Sequence, residues 1–415
     1  MPDNDMENRQ VVVIGAGPAG AIAAALLKRR GHDVLIIERQ AFPRFSIGES
    51  LLSHCIDFID EAGMLPALEA AGFQVKNGAA FAWGERTSAF DFGDTFSNGR
   101  PTTFQVQRAR FDKLLADQAE LQGVEIRYQQ EITGADFGPA RPLLQVRRQD
   151  GSEYTVHATF VLDASGYGRV LPRLLDLEAP SNFPVRQAVF THIEDRIDHP
   201  GFDRNKILIT THPEKRDVWF WSIPFSDGRC SLGVVAGKEH FAGTEHDLDA
   251  CLKQFVAQTP SLAKVLENAV WDTPARTIGG YSANVKHLHG PGFALLGNAA
   301  EFLDPVFSSG VTIAMRSASM AAGLLDRQLQ GEQVDWHTEF AAPLKAGVDT
   351  FRAYVEGWYA GTFQDVIFHP GSSPEIRRMI CSILAGYAWD TRNPFVAEPK
   401  RRLGVLAELC AGANA

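Results

Sequence analysis

Residues 11–14 read VVVI, a short β-branched run that predicts a strand buried on both faces. The run AIAAALLKRR, just past the glycine-rich GAGPAG, predicts a helix ending near Gly31. VLIIE then predicts a second buried strand ending at Glu38. Farther along, the pattern changes. Across about 180–275, apolar and polar positions alternate, as in ILITTH, VWFWSIP and CSLGVVAG, which predicts antiparallel strands; a second strand-rich block covers about 76–107. The two blocks are expected to pair into one antiparallel sheet. Beyond residue 340 the periodicity is helical. Phe351, Tyr354, Val355 and Trp358 fall at i, i+3, i+4 and i+7, an apolar stripe read first as core and second as a substrate wall. No internal repeat or low-complexity segment is apparent.

The strand–turn–helix–strand unit at the start carries the first chemistry. Its turn, GAGPAG, contains Gly15, Gly17 and Gly20. Gly15 permits the tight turn, Gly17 lets the backbone approach a pyrophosphate, and Gly20 lets helix and strand pack closely. The helix then presents free N–H groups and its positive dipole end to the phosphates. Glu38, 18 residues past Gly20, stands where a carboxylate accepts both hydrogen bonds of an adenosine ribose. Glu in place of Arg argues against a 2′-phosphate. The motif establishes a dinucleotide and leaves NAD and FAD open.

Composition narrows the class. The chain has 415 residues, enough to bury a large core; 45% are hydrophobic and 22% charged. The net charge of −10, with no basic stripe, argues against a nucleic-acid partner. Lys400-Arg401-Arg402 reads as a solvated face. The N-terminus MPDNDMENRQ lacks the basic start and apolar run of a signal peptide, and no apolar stretch nears the roughly 20 residues a membrane helix needs, so a cytoplasmic location is expected. Cys55, Cys230, Cys251, Cys381 and Cys410 form no CxxC pair and read as free thiols, mostly core. His287 and His289 have no carboxylate or cysteine at ligand spacing, and no metal is expected.

Three further motifs select the dinucleotide: VQRARFD (106–112), VLDASG (161–166) and FALLGNAAEFLDPVFSSGV (293–311). In this order the set resembles the flavoprotein oxygenases of the p-hydroxybenzoate hydroxylase fold, over roughly residues 8–330. The resemblance implies an α/β fold with a glutathione-reductase-type FAD-binding domain assembled from 8–75, 108–175 and 276–335. It also implies a substrate-side antiparallel β-sheet domain from 76–107 and 176–275, followed by a short helical C-terminal segment, 340–415. Arg108 would contact the flavin or its phosphates. Asp163 and Gly166 would shape the strand–turn near the cofactor, and Asp304 would bind the ribityl chain. Ala19, Arg39, Ile47, Gly48, Pro305 and Val311 would complete the cofactor set. The helix after Gly310 would point its N-terminus at the flavin. Asn298 stands where the family usually carries Asp; it can still hydrogen-bond a ribityl hydroxyl but brings no charge.

FPRFSIGESLL (42–52), AGFQVKNGAAFAWG (71–84) and VWFWSIP (218–224), taken with DPVFSSGV, resemble the flavin-dependent halogenases. The likeness is greater to members acting on phenolic, pyrrolic or carrier-protein-bound substrates than to those acting on free tryptophan. There is no second GxGxxG unit, so reducing equivalents are expected from a transient nicotinamide or from a separate flavin reductase. The resemblance implies FADH2, O2 and chloride or bromide as co-reactants that yield hypohalous acid, with the halide on the backbone N–H groups of Ser309 and Gly310. Lys76 would hold hypohalous acid or form a haloamine, and the neighbouring Phe73, Val75 and Phe81 argue against its full exposure. Trp219 and Trp221 alternate along one strand and so share a face, where their bulk would keep substrate from the flavin. Two alternatives stay open: an aromatic monooxygenase or other FAD oxidoreductase of the same fold, and a flavoprotein that has lost catalysis.

Overall fold

The computed structural model describes residues 6–138, 141–244, 246–371 and 373–412. Two sheets stand on either side of a cleft. The first sheet runs Phe293–Leu295, Glu153–Asp163, Met6–Ile14, Val34–Glu38 and Glu125–Tyr128, all mutually parallel. His289–Gly290 adds an antiparallel edge, and Gln130–Asp136 and Leu143–Arg148 branch off Glu153–Asp163 as an antiparallel ribbon. Val13 pairs with Leu162 on one side and Ile36 on the other. All three are fully buried, as a parallel strand covered on both faces requires. The helices Pro18–Arg29, Arg108–Leu121 and Ser309–Leu329 cover one face, where Ile22, Leu26, Phe111, Leu115 and Met315 pack into one core.

The second sheet has seven strands in the order Arg276–Gly279, Arg186–Glu194, Arg229–Gly237, Trp219–Pro224, Lys206–Thr211, Gly78–Trp83, Arg86–Asp91. It is antiparallel except that Lys206–Thr211 and Gly78–Trp83 run parallel. Two expectations need correction here. Arg276–Gly279, assigned by the sequence to the cofactor side of a boundary at 275/276, pairs with Arg186–Glu194 in this second sheet. Gln74–Lys76 and Thr103–Gln105 do not join it and form their own two-stranded ribbon, so Lys76 lies at a strand end.

After the long helix, the chain is helical: Ala342–Tyr359, Thr362–Ile367, Pro374–Leu384, Pro394–Ala397 and Pro399–Gly412. The stripe Phe351, Tyr354, Val355 and Trp358 is buried in one core with Trp219, Trp221 and Phe307, which joins these helices to the inner face of the second sheet. The outer face of that sheet is covered by Leu248–Ala257 and Pro260–Val265. All five cysteines are buried thiols outside any disulfide. Among the described residues, no helix is long and apolar enough to cross a membrane.

Candidate active site

The cleft between the sheets is a cavity of about 350 Å³. Of the residues singled out in the sequence, Gly15, Gly17, Ala19, Glu38, Arg39, Ile47, Gly48, Arg108, Gly166, Trp219, Trp221, Asn298, Pro305, Gly310 and Val311 line it. Gly20, Lys76, Asp163, Asp304 and Ser309 do not.

The wall on the first sheet is built of backbone. Gly15 turns with φ +95°, a conformation that strains any side chain. A Cβ on Gly20 would lie 1.9 Å from the Gly15 carbonyl oxygen, so only glycine allows this helix to meet this turn. No side chain caps the helix at Gly17, and Pro18 follows, which leaves the first N–H groups directed at the cleft. Glu38 closes this wall. One of its oxygens accepts from Ala16 N and the other from Gln40 N, both at 2.8 Å, which holds the carboxylate at the cleft with lone pairs to spare for hydroxyl donors.

Arg108 is placed differently from expectation. Its Nε and Nη2 bind Asp112 at 2.7 and 3.0 Å, and its Nη1 donates to the carbonyls of Ile47 (2.6 Å) and Gly48 (3.3 Å). Arg44 adds a second ion pair to Asp112 at 3.2 Å. The guanidinium therefore fastens the 44–48 segment to the helix Arg108–Leu121, and it reaches the cleft only in passing. Asp163 is buried beneath the wall, accepts from Ser165 N (2.9 Å) and Leu171 N (2.7 Å), and so shapes the turn that presents Gly166 at φ +59°. Burial raises its pKa.

Asp304 also departs from its implied role. It is 2% exposed, and its two oxygens accept from Val306 N (3.0 Å) and Tyr359 Oη (2.9 Å). Burial pushes its pKa up to about 6. Its carboxylate bonds the C-terminal helix through Tyr359 and does not line the cleft. Asn298 does line it. Its Oδ1 is buried on the cleft wall and has no hydrogen-bond partner among the described residues.

Ser308 adopts a left-handed conformation (φ 56°, ψ 23°) and turns the chain into the helix Ser309–Leu329, which has no side-chain cap. Ser308, Gly310 and Val311 line the cleft, whereas the side chain of Ser309 is buried behind them. An uncapped 21-residue helix thus starts at the cleft, the setting in which backbone N–H groups attract an anion.

The opposite wall is built of side chains. Trp219 and Trp221 share one face of their strand with ring centroids 6.1 Å apart. Trp219 Nε1 donates to Tyr359 Oη (2.9 Å) and Trp221 Nε1 to Ser231 Oγ (3.0 Å). Gly233 makes room for Trp221: a Cβ there would lie 2.2 Å from the indole. Lys76 sits behind this chamber, 1% exposed, with Nζ donating to Ser50 Oγ and to the Leu51 carbonyl at 2.8 Å each and lying 5.2 Å over the Phe92 ring. Burial pulls its pKa down to about 7, offset in small part by nearby Cys55. Ser50 lines the cleft, so Lys76 touches the site through that hydroxyl.

Sequence reasoning missed four residues at this site. Glu49 and His192 form a pair at 2.8 Å, Tyr359 links Trp219 to Asp304, and Arg44 anchors the 44–48 segment. The GES triplet was visible in the sequence; the His192 partner of its Glu49 lies 143 residues away and carried no local signal. A cluster of Asp217, Glu239 and His240 could offer three ligand atoms, but none of the three lines the cleft.

The glycine cradle, the uncapped helix ends and the orphaned Asn298 oxygen fit the parts of FAD. Comparison with known proteins agrees. Residues 8–339 match the family model described as FAD binding domain. A tryptophan 2-halogenase of Chondromyces crocatus is 31% identical over 335 residues, 78% of this chain; the chain spans 62% of that relative's length. A 1H-pyrrole-2-carbonyl-[peptidyl-carrier protein] chlorinase of Pseudomonas fluorescens is 26% identical across 98% of this chain and 95% of its own. A crystal structure described as a flavoprotein/dehydrogenase from Cytophaga hutchinsonii superposes with a TM-score of 0.95 at 43% identity, covering 99% of this chain and 100% of that one. The chain belongs to the FAD-binding-domain family and is an FAD-dependent oxidoreductase, and the two curated relatives named above are halogenases.

Proposed function

We propose that the protein is a two-component FAD-dependent halogenase that takes FADH2 from a separate flavin reductase and uses O2 and chloride or bromide to halogenate an electron-rich aromatic ring, free or tethered to an acyl carrier protein. When bound in its reduced form, FAD supplies the two electrons that activate O2 toward the halide. Gly15, Gly17 and Ala19 cradle the pyrophosphate, Glu38 takes the ribose, and Asn298 takes a ribityl hydroxyl. Arg39, Ile47, Gly48, Arg108, Gly166, Pro305 and Val311 complete the wall, with Asp163 shaping it from behind. The N–H groups of Ser309 and Gly310 hold the halide. Trp219 and Trp221 fill the space beside it and exclude water.

The observation that carries this reading is the buried amine of Lys76. With its pKa near 7, a large share of Lys76 is neutral at physiological pH. A neutral amine reacts with hypohalous acid by forming an N–halogen bond and releasing water, and the halogen is then held for transfer to carbon. Ser50, which bonds Nζ and lines the cleft, is the point of entry. No strongly basic surface for nucleic acid is part of this reading, and the protein would work in the cytoplasm.

A second reading, an FAD-dependent aromatic monooxygenase or other oxidoreductase, is favoured by one feature: Lys76 lies behind Ser50 and not on the cleft wall. The likeness to the flavoprotein/dehydrogenase points the same way. One assay separates the two. The protein is supplied with a flavin reductase, NADH, O2, bromide or chloride, and a panel of phenol, pyrrole and indole substrates, and products are read by mass spectrometry. Halogenated product from wild type and almost none from Lys76→Met, with FAD retained by both, supports the halogenase. Hydroxylated product without halide supports the second reading.

A further inference from the structure

Glu49 is the charged side chain on the cleft wall whose chemistry is left open. It is 2% exposed, and its Oε1 is held at 2.8 Å by His192 Nε2. Its Oε2 is buried with no hydrogen-bond partner among the described residues. A carboxylate oxygen stranded away from water is costly, by roughly 1–3 kcal/mol or more for a charged group. Its presence on a cleft wall therefore calls for a ligand that donates a hydrogen bond.

The position of His192 shows which part of the cleft that ligand occupies. His192 lies on the strand Arg186–Glu194 and alternates with Ala188 and Phe190, so the three share one face of the second sheet. Ala188 lines the cleft, and the Phe190 ring is 6.0 Å from that of Trp221. Phe45, on the segment that carries Glu49, stacks on Phe190 at 6.0 Å and 8°. The free oxygen of Glu49 thus belongs to the aromatic side of the cleft, opposite the glycine wall. Phe45, Phe190 and Trp221 give that side its flat apolar surfaces.

We propose that Glu49 is the residue that recognises the organic substrate: its Oε2 accepts a hydrogen bond from an acidic O–H or N–H borne directly on the aromatic ring, with His192 as the positioning residue that holds the other oxygen. The substrate class is phenols and N–H heteroaromatics, and their O- or N-alkylated counterparts are excluded. The interaction also suits the chemistry. A ring donor hydrogen-bonded to a carboxylate gains electron density at its ortho and para or α carbons, which are the carbons an electrophilic halogen attacks. The proposal rests on the reading of the cleft as an FAD-dependent site for an aromatic ring. It concerns binding and stands or falls separately from whether the product is halogenated or hydroxylated.

The test is binding by the FAD-loaded protein, measured by calorimetry with phenol against anisole and pyrrole against N-methylpyrrole. A charge-assisted hydrogen bond predicts that wild type prefers the donor in each pair about tenfold. Glu49→Gln should abolish the preference while leaving the FAD dissociation constant within about threefold of wild type. Glu49→Asp, which keeps the charge but withdraws the oxygen by one methylene, should weaken the preference about threefold or more and serves if the amide variant does not fold. Three results would overturn the assignment. One is a wild type that binds none of the probes or shows no preference. Another is a preference that survives both substitutions. The third is a Glu49→Gln protein that loses FAD, which would give the carboxylate to the cofactor.

Discussion

The two walls of the cleft are made differently. The wall on the parallel sheet is backbone: a glycine turn, two uncapped helix starts, and one carboxylate pinned by main-chain N–H groups. The wall on the second sheet is side chain: two indoles, a stack of phenyl rings, and the buried Glu49 facing His192, with Lys76 behind them. A backbone wall binds what is common to every turnover, since N–H groups and carbonyls cannot be varied by mutation. A side-chain wall can be altered residue by residue while the fold is kept. Selectivity for an organic substrate belongs on that second wall.

The contrast is broken most severely on the backbone side. Gly20→Ala places a methyl group 1.9 Å from the Gly15 carbonyl oxygen and 3.3 Å from the Ala164 side chain, and neither main-chain segment can yield cheaply. Overpacking of this kind costs ~3 kcal/mol, so FAD affinity should fall ~100-fold, or the protein should fail to fold. Fluorescence titration of the apoprotein with FAD, alongside a thermal melt, checks this. An unchanged dissociation constant would mean the turn is not the pyrophosphate cradle.

The buried amine gives the next largest effect. Lys76 titrates near 10.5 when exposed and near 7 in the fold. Between those values the unfolded chain binds one proton more than the folded one, so stability must rise with pH across that window. The slope approaches ~1.4 kcal/mol per pH unit, which is about 2 kcal/mol between pH 7.5 and 9. Lys76→Met, of similar volume and uncharged, should remove that slope. Urea melts of both proteins at several pH values measure it, and parallel pH profiles would show that the folded amine keeps its proton across that window.

The smallest effect links the side-chain wall to the C-terminal helix. Tyr359→Phe removes the hydroxyl that joins Trp219 Nε1 to Asp304 Oδ2 and strands both atoms in the interior. The expected loss is ~1 kcal/mol. Near-UV circular dichroism should report a changed indole environment, while FAD affinity stays close to wild type because Asp304 does not line the cleft. A large loss of FAD would return Asp304 to the cofactor.

Much of the backbone wall was legible in the sequence. Gly15, Gly17, Gly20 and Glu38 announced themselves because the steric demand that selects glycine acts between residues a few positions apart. The same holds for the turns around Gly166 and Gly310, and for the alternation that set Trp219 and Trp221 on one face. What the sequence misjudged were the partners. Arg108, expected at the cofactor, lines the cleft and also holds the carbonyls of Ile47 and Gly48; Asp304, expected at the ribityl chain, lies off the cleft and accepts from Tyr359. Arg276–Gly279 crossed to the other sheet because strand pairing, which no local pattern encodes, decides sheet membership.

The sequence by itself determined the cofactor class, the α/β architecture and the identity of the residues that bend the chain around a dinucleotide. The bends follow from short-range sterics and hydrophobic periodicity; FAD and the α/β architecture are what the resemblance carried by the longer motifs implies. Only the tertiary structure decided the state and direction of the polar groups. Glu49 meets His192 across 143 positions and Trp219 meets Tyr359 across 140. The burial that brings Lys76 to about 7 and Asp304 to about 6 exists only once distant elements close over them. Desolvation and hydrogen-bond pairing are properties of the packed chain, and they set the chemistry of this cleft.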